Sequence, residues 1–206
     1  MIAPRPLYLA SASPRRIDLM ARLGLPFRVL HLRFREVLPS LPAEEAARLL
    51  AWRKVEWARR HLDHGIVVAA DTIVALGDHL YGKPRSRADA VAMLRQLSGR
   101  THLVTTAVAV VDAHTRCGML GSERSRVTFR RLEAGVIRRY VASGEPMDKA
   151  GAYAIQGEGR ALVARIRGDA YNVVGFPVRL FALLADRLGV RIPPARVRAL
   201  YRTGPR

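Results

Sequence analysis

The chain has 206 residues, half of them apolar, which is enough for one compact domain with a buried core. It contains no apolar run long enough for a membrane span, and its start lacks the charged and apolar blocks of a signal peptide. Cys117 is the only cysteine, which excludes an internal disulfide and a cysteine metal cage. We expect one domain over residues 1–206, beginning near Met1, in a reducing cytoplasm.

The charge is strongly positive, because 35 Lys and Arg residues outnumber 17 Asp and Glu residues to give +18. Such a field attracts phosphate-bearing molecules, both nucleic acids and small nucleotides. Most of the excess is arginine scattered along the chain, and we find no basic stripe interleaved with aromatic residues. Many of these arginines could simply cover a solvated surface, so the charge leaves both partners open.

Strand and helix patterns alternate along the chain, which predicts an α/β fold. Ser13 and Pro14 favour the start of a helix that ends at Gly24, and Gly77-Asp78 favours a type II′ hairpin turn. The predicted strands cover residues 7–10, 27–32, 66–70, 72–76, 79–83, 103–112, 118–129 and about 161–166. The predicted helices cover residues 14–23, 43–62, 86–97, 133–143 and 177–188, and a basic tail follows over 190–206.

The first candidate site is Ser11-Ala12-Ser13-Pro14-Arg15-Arg16. A helix N-terminus offers unpaired backbone N–H groups and a partial positive charge, and two guanidiniums stand beside it. The segment suits a phosphate. An ordinary capped helix whose arginines point into water is the equal alternative.

Lys54 lies on the apolar stripe of the long helix, together with Leu50, Ala51 and Ala58. Burying an ammonium without a partner is costly, so this position indicates a function. The alternative is that Lys54 reaches past Trp57 to water. If Lys54 is a partly buried charge, its replacement by Met should keep or raise stability.

Asp71 follows the buried strand 66–70, and strand ends in α/β sheets are the usual place for groups that handle ligands. The two-residue hairpin makes the numbers of paired residues add up to 155, which would place Thr72 opposite Lys83. The Lys83 ammonium would then lie close to Asp71. A purely structural ion pair between the two is the competing interpretation.

A glycine-rich segment over residues 144–157 contains Asp148, Lys149 and Gln156, and it is typical of a binding loop, with a plain glycine turn as the alternative. Neither Ser11 nor Ser13 has a fixed His and Asp partner, so a serine-hydrolase triad is not expected. The six histidines show no zinc spacing and are expected mostly at the surface.

Four motifs in order resemble the Maf family of nucleoside triphosphate pyrophosphatases, from about Leu7 to Leu184. They are 9–16 (LASASPRR); 70–72 (ADT) with 82–84 (GKP); 97–99 (LSG) with His102 and Thr105-Thr106; and 148–153 (DKAGAY) with 155–157 (IQG) and 172–175 (NVVG). The chain differs at Phe176, where leucine is usual, and at Arg126, where an acidic residue is common.

The resemblance implies an elongated mixed β-sheet flanked by helices, similar to the inosine triphosphatase fold, as a single domain with two lobes and a central cleft. It also implies a homodimer and a divalent metal cation, Mg²⁺ or Mn²⁺. The catalytic residue of the family falls on Asp71, and the metal ligands fall on Asp71 and, by a loose match, on Glu36. The substrate-binding residues fall on Ser11, Arg15, Arg16, Lys54, Thr72, Lys83 and Gln156.

The resemblance further implies hydrolysis between the α and β phosphorus atoms. Arg15, Thr72 and Gln156 are similar to the branch of the family that acts on dTTP and UTP, while CTP or modified nucleotides are further candidates. A branch acting on 7-methyl-GTP differs at these positions. A basic nucleic-acid-binding protein and a regulator of septum formation are the alternatives.

Overall fold

Seven strands form one mixed sheet in the computed structural model, which describes residues 5–31 and 37–205. The strands are β1 (Leu7–Leu9), β2 (Arg28–Val29), β3 (Ile66–Leu76), β4 (His79–Tyr81), β5 (Thr101–Asp112), β6 (Gly118–Phe129) and β7 (Val163–Arg167). The helices are α1 (Pro14–Arg22), α2 (Ala43–Arg59), α3 (Arg87–Leu97), α4 (Ala134–Ala142), α5 (Ala170–Val174), α6 (Val178–Arg187) and α7 (Pro194–Thr203). The predicted fold class is confirmed.

The sheet has the order β2-β1-β3-β5-β6-β7, and β4 pairs with β3. Strand β1 runs parallel to β2 and β3, and all other neighbours are antiparallel. Side chains of β3 alternate between two apolar layers, because successive residues of a strand point to opposite faces. Val68 and Ala70 pack on the face that carries α1 and α3 to α6, whereas Val67 and Ala69 pack under α2.

The hairpin after β3 has the predicted register, with Val74 opposite Tyr81 and Ala75 opposite Leu80. Gly77 has a φ of 59°, the left-handed region that the first position of a type II′ turn requires. Strand β4 ends at Tyr81, so the ladder stops before it could pair Thr72 with Lys83. The turn was predicted correctly and the extent of the pairing was not.

Asp71 lies inside β3, because the chain continues as a strand to Leu76 instead of ending near residue 70. Its position is nevertheless special. Strand β1 pairs with β3 only as far as Val68, and β4 pairs on the same edge only from Val74 onward, while β5 covers the opposite edge throughout. The departure of β1 from β3 therefore leaves an opening at residues 69–73, and this opening positions the site.

Other elements differ in extent from the sequence prediction. Helix α2 ends at Arg59, and the strand expected over 27–32 is β2, which ends at Val29; its predicted end, Leu32, lies outside the described residues. The basic tail contains α7, which was not predicted, and the short helix α5 was missed as well. No helix in the described part of the chain has both the length and the apolarity to cross a membrane.

Candidate active site

A cavity of about 1400 Å³ occupies the opening beside β3. Its walls come from the segment before α1, from α2, from β3, from the segment after β4 and from the glycine-rich loop. The structure brings seven of the predicted site residues into this one cavity, and they are Ser11, Arg15, Arg16, Lys54, Asp71, Thr72 and Lys83.

The start of α1 forms one wall. Ser13 is the N-cap residue and Pro14 is the first helical residue, as predicted, but the Ser13 side chain makes no capping hydrogen bond. The Ser13 N–H instead donates to the Oγ of buried Ser11 at 3.2 Å. The wall is thus a helix N-terminus, where backbone N–H groups and the helix dipole favour an anion.

Three hydrogen bonds fix the guanidinium of Arg16. Its Nε donates to the carbonyl oxygen of Gly175 at 2.8 Å, its Nη1 to Ser11 Oγ at 3.3 Å and its Nη2 to Thr72 Oγ1 at 3.1 Å. The three partners come from separate parts of the chain. A side chain held in this way loses little further freedom when it meets a ligand, so Arg16 is preorganised for a charge-assisted contact.

Lys54 and Asp71 form a buried salt bridge across the cavity floor. The Lys54 Nζ donates to Asp71 Oδ1 at 2.5 Å, and the two side chains are only 6% and 7% exposed. Lys54 lies on the face of α2 that also buries Leu50 and Ala51, so its predicted place in the apolar stripe is confirmed, and the alternative that it reaches water is wrong. Charges at this depth require partners because their desolvation is costly.

A second network, which the sequence reasoning missed, starts from Thr72 and points to the opposite face of β3. The Thr106 hydroxyl donates to the backbone oxygen of Asn172 at 2.8 Å, so it accepts from the Thr72 hydroxyl at 2.9 Å. Since Thr72 Oγ1 in turn accepts from Arg16, the donors run in one direction from the guanidinium to Asn172. The motif that contains Asn172 was the available signal, but its partner Thr106 lies 66 residues away.

Asn172 stands at the end of this network, and both polar atoms of its side chain are hydrogen-bonded. Its Oδ1 accepts from the backbone N–H of Thr106 at 2.9 Å, and its Nδ2 donates to Val104 O at 3.0 Å and to Ser125 Oγ at 2.9 Å. The residue is fully buried. A buried amide with all these partners holds α5 against β5 and β6, and thereby places Gly175 beside Arg16.

The glycine-rich loop forms the remaining wall through Asp148, Lys149 and Tyr153. Burial lowers the pKa of Arg15, and the field of the Asp148 carboxylate opposes that change. Gly151 has a φ of 70°, and a Cβ there would lie 3.0 Å from the Val74 side chain. The close approach of the loop to β3 therefore requires glycine at this position.

Tyr153 is oriented from behind by His102, whose Nε2 lies 2.8 Å from the tyrosine hydroxyl. Burial lowers the pKa of His102 to about 4, so the ring is neutral at pH 7. The expectation that the histidines are mostly surface residues does not hold for His102, which is 2% exposed. One indication of this burial was present in the sequence, because His102 belongs to the third of the four motifs, together with 97–99 (LSG).

Two predicted site residues are not brought to the cavity wall by the described part of the structure. Gln156 is the residue before a short 3₁₀ turn (Gly157–Leu162) and is not among the lining residues, so its role stays a prediction. Glu36 lies outside the described residues. Arg85 and Asp89, at the start of α3, line the cavity and were not predicted.

The donor set suits a hard divalent cation that arrives with its ligand. Within residues 5–31 and 37–205, no three His, Cys, Asp or Glu side chains gather as a group that could hold a metal ion. Mg²⁺ usually takes one or two protein carboxylates together with substrate phosphates and waters. Asp71 supplies one buried carboxylate to the cavity, which fits that mode of binding and does not fit a cage made of protein ligands alone.

The fold and the cavity define an α/β protein with a mixed sheet and a cationic site built for a phosphate-bearing ligand. The family model described as Maf-like protein matches residues 6–188. The chain therefore belongs to the Maf family.

Several curated proteins are similar over nearly their whole length. The dTTP/UTP pyrophosphatase of Moorella thermoacetica (strain ATCC 39073 / JCM 9320) is 50% identical over 181 residues, covering 87% of this chain and 93% of that protein. The protein of the same name from Myxococcus xanthus (strain DK1622) is 47% identical over 189 residues, or 91% and 94% of the two chains. That from Pelotomaculum thermopropionicum is 43% identical over 187 residues, or 90% and 98%.

Proposed function

We propose that this chain hydrolyses dTTP and UTP to the nucleoside monophosphate and pyrophosphate. The observation that carries the proposal is the convergence of the buried Lys54–Asp71 salt bridge with the cationic side chains of Arg15, Arg16 and Lys83 in one cavity. The names of the similar proteins support the same reaction. A triphosphate needs several cations, and hydrolysis needs a carboxylate near the reacting phosphorus.

In the proposed reaction, the oxygen of a water molecule attacks the α-phosphorus. Asp71 accepts a proton from that water as the new P–O bond forms. The bond from the α-phosphorus to the bridging oxygen breaks, and its electron pair leaves with pyrophosphate. Lys54 orients the Asp71 carboxylate through the 2.5 Å hydrogen bond.

The cationic wall stabilises the charge that develops on the phosphate oxygens. Arg16 is held in place by Ser11, Thr72 and Gly175, so it needs little rearrangement during the reaction. A divalent cation bound by Asp71, with Glu36 as the further predicted ligand, would neutralise phosphate charge and polarise the attacked phosphorus. Positioning and charge thus account for most of the rate, as in other phosphoryl transfers.

Preference for dTTP and UTP over purine nucleotides rests on Gln156. A carboxamide presents a donor and an acceptor together, which suits the edge of thymine and uracil. A base with a mismatched edge would leave buried polar groups unpaired. The amide can rotate to suit cytosine, so CTP is the next best substrate in this proposal.

Analysis of the products tests the reaction. The protein is incubated with dTTP and Mn²⁺, and the products are followed by phosphorus NMR without added pyrophosphatase. We expect pyrophosphate and dTMP from the first time point. Orthophosphate and dTDP as the first products would contradict attack at the α-phosphorus.

A substrate panel tests the base preference separately. The values of kcat/KM are compared for dTTP, UTP, CTP, GTP and 7-methyl-GTP on wild type, on Gln156→Glu and on Gln96→Glu. Gln96 is exposed on α3 and provides a control of equal chemistry. We expect only Gln156→Glu to weaken the preference for dTTP and UTP. If 7-methyl-GTP is the best substrate of the wild type, the assignment to the pyrimidine branch is wrong while the reaction stands.

The homodimer, the cytoplasmic location and the choice between Mg²⁺ and Mn²⁺ belong to the same proposal. They rest on the resemblance to the family and on composition. Sedimentation of the purified protein tests the dimer, and activity after chelation and refilling with each ion tests the metal.

A further inference from the structure

A second basic surface lies outside the cavity, on the face of the sheet that carries α2. It consists of Arg124 and Arg126 on β6 and Arg165 and Arg167 on β7, and we call it the arginine face. All four side chains are exposed. Helix α2 covers the middle of this side of the sheet. It reaches β6 at Gly118, beside the Trp52 ring, and near Arg124, where Glu44 lies 3.6 Å away. The rest of the arginine face has no helix of the described chain packed on it.

The strand register arranges these arginines as an array. Arg126 is directly opposite Arg167, and Thr128 is directly opposite Arg165. Residues opposite each other in an antiparallel pair share a face and stand about 5 Å apart, and alternate residues along a strand stand about 7 Å apart. The sheet therefore fixes the backbone positions from which the four arginine side chains extend, at regular short spacings on one face.

This array is costly in the absence of an anion, because like charges directly opposite each other destabilise a sheet. Glu44 gives Arg124 an acidic neighbour, and the Ser122 hydroxyl also donates to that carboxylate at 2.6 Å. A neighbouring cavity of about 1170 Å³ brings Glu45, Asp78 and Arg48 to the side of Arg124 and Arg126. Those charges do not extend to β7, where the two arginines of the edge strand add to the positive field.

Two simpler explanations have to be compared with a ligand. Charged side chains on an edge strand protect it from pairing with other chains, and this would explain Arg165 and Arg167 on β7. It does not explain Arg126, which lies where β6 is paired with β5 on one edge and with β7 on the other. Self-association through this face is disfavoured, since a second copy would present the same positive charges.

We propose that the arginine face binds the phosphate backbone of double-stranded nucleic acid, independently of sequence. Arginine matches phosphate geometry with two parallel hydrogen bonds, and four in one array can contact several phosphates. The side chains between them are Thr101, Leu103 and Thr128, which offer no aromatic surface for stacking unpaired bases. The face thus fits a duplex backbone better than a single strand.

The face and the cavity are separate, because none of the four arginines lines the cavity. Binding of nucleic acid and hydrolysis of a small nucleotide can therefore be measured independently on the same variants. The proposal does not depend on the proposed hydrolysis. It gives a role to positive charge that lies outside the cavity.

The test is fluorescence anisotropy with a labelled duplex of about 20 base pairs between 50 and 200 mM salt. Three proteins are compared: wild type, the double variant Arg126→Gln/Arg167→Gln, and the double variant Arg187→Gln/Arg198→Gln. Arg187 and Arg198 are exposed on α6 and α7, so the control loses the same charge elsewhere. Hydrolysis of dTTP and thermal melting show that each variant is folded.

We expect the wild type to bind with a logarithmic salt slope of about 3 to 4, since the slope is about 0.9 for each phosphate contacted. Arg126→Gln/Arg167→Gln should lower that slope by about 2 and the control by much less, with hydrolysis unchanged in both. Equal losses in the two variants would mean a diffuse field and would overturn the proposal. So would the absence of wild-type binding at 50 mM salt, tighter binding to a single strand of the same length, or binding to anionic lipid vesicles without binding to the duplex.

Discussion

Asp71 and Thr72 are neighbours on β3, yet they belong to two different kinds of polar structure. Asp71 points under α2 and forms a charged pair with Lys54, whereas Thr72 points to the other face and joins a chain of neutral hydrogen bonds that ends at Asn172. Both line the same cavity. The site therefore combines a charged floor with a neutral frame, and one strand separates them.

The charged floor and the neutral frame are therefore expected to have different roles. A buried carboxylate and ammonium can exchange partners and protons with a substrate, but they add little to stability because both are desolvated. A saturated neutral network cannot perform that chemistry, but it holds geometry because each broken hydrogen bond leaves a buried group unsatisfied. We expect a change at Asp71 to act first on turnover and the loss of Lys54 to lower stability, because it leaves a buried charge. Changes to the frame should act on stability and substrate affinity.

The largest effect is expected from Asp71→Asn. The amide keeps the shape and accepts from Lys54, but it cannot accept a proton from water, so turnover should fall by about 10²- to 10⁴-fold. The measurement is steady-state hydrolysis of dTTP alongside thermal melting. Asp186→Asn, an exposed change on α6, is the control and should leave turnover unchanged. Turnover near wild type with a folded protein would remove Asp71 from the chemistry.

The second prediction concerns Lys54→Met. The sequence alone suggested that this change would keep or raise stability, but the salt bridge reverses the expectation, because Met leaves the Asp71 carboxylate buried without its ammonium. We expect a loss of about 3–5 kcal/mol in the free energy of unfolding by urea. Arg53→Met, on the exposed side of α2, should stay within about 0.5 kcal/mol.

The double variant Lys54→Met/Asp71→Asn tests whether the two charges are energetically coupled. It removes both charges, so it should be more stable than Lys54→Met alone. If the two single losses simply add, the pair is not coupled in solution and the charged floor does not exist as described.

The third prediction concerns the neutral residue behind the cavity, His102. Burial holds its pKa at about 4 in the folded protein, below the value of about 6.5 in the unfolded chain. Between these values the unfolded state binds more protons, so stability is full above pH 6.5 and is lost as the pH falls toward 4. The loss should be roughly 3 kcal/mol. Urea unfolding between pH 7.5 and 4 measures it.

Acidic groups also titrate in this range, so the informative quantity is the difference between wild type and His102→Gln. The variant should show a flatter dependence on pH, whereas His61→Gln, a change at an exposed histidine, should follow the wild type. Parallel curves for wild type and His102→Gln would show that the ring is not held neutral.

The smallest effect on turnover is expected from Asn172→Asp. A carboxylate cannot donate to Val104 O and Ser125 Oγ, so the loss of stability should be about 1–3 kcal/mol. The displaced α5 should raise KM for dTTP more than it lowers kcat, because Arg16 loses its fixed position beside Gly175. Ser125→Ala removes only one of the two acceptors and should show a smaller change in both quantities. Unchanged KM with lowered stability would confine the network to a structural role.

Much of the molecule could be predicted from local patterns. The hairpin at Gly77-Asp78, the burial of Lys54 and the class of fold each follow from residues close in sequence, and the structure agrees with them. The apolar spacing of α1 predicts that Ala21 faces inward, but Ala21 is exposed while Leu19 is buried. Apolar periodicity defines a stripe along a helix, but not which edge of that stripe the neighbouring elements cover.

By itself, the sequence determined the family, the order of all elements but α5 and α7, and most of the charged residues around Asp71. Only the tertiary structure decided which of them are partners. Asp71 forms its salt bridge with Lys54 on α2, whereas the local hairpin pattern had pointed to Lys83. Thr106 is hydrogen-bonded to Asn172, which lies 66 residues further along the chain. Short-range patterns arise from backbone geometry and are legible in sequence, whereas these pairings depend on how β1, β3 and β5 are placed side by side, which requires the whole sheet.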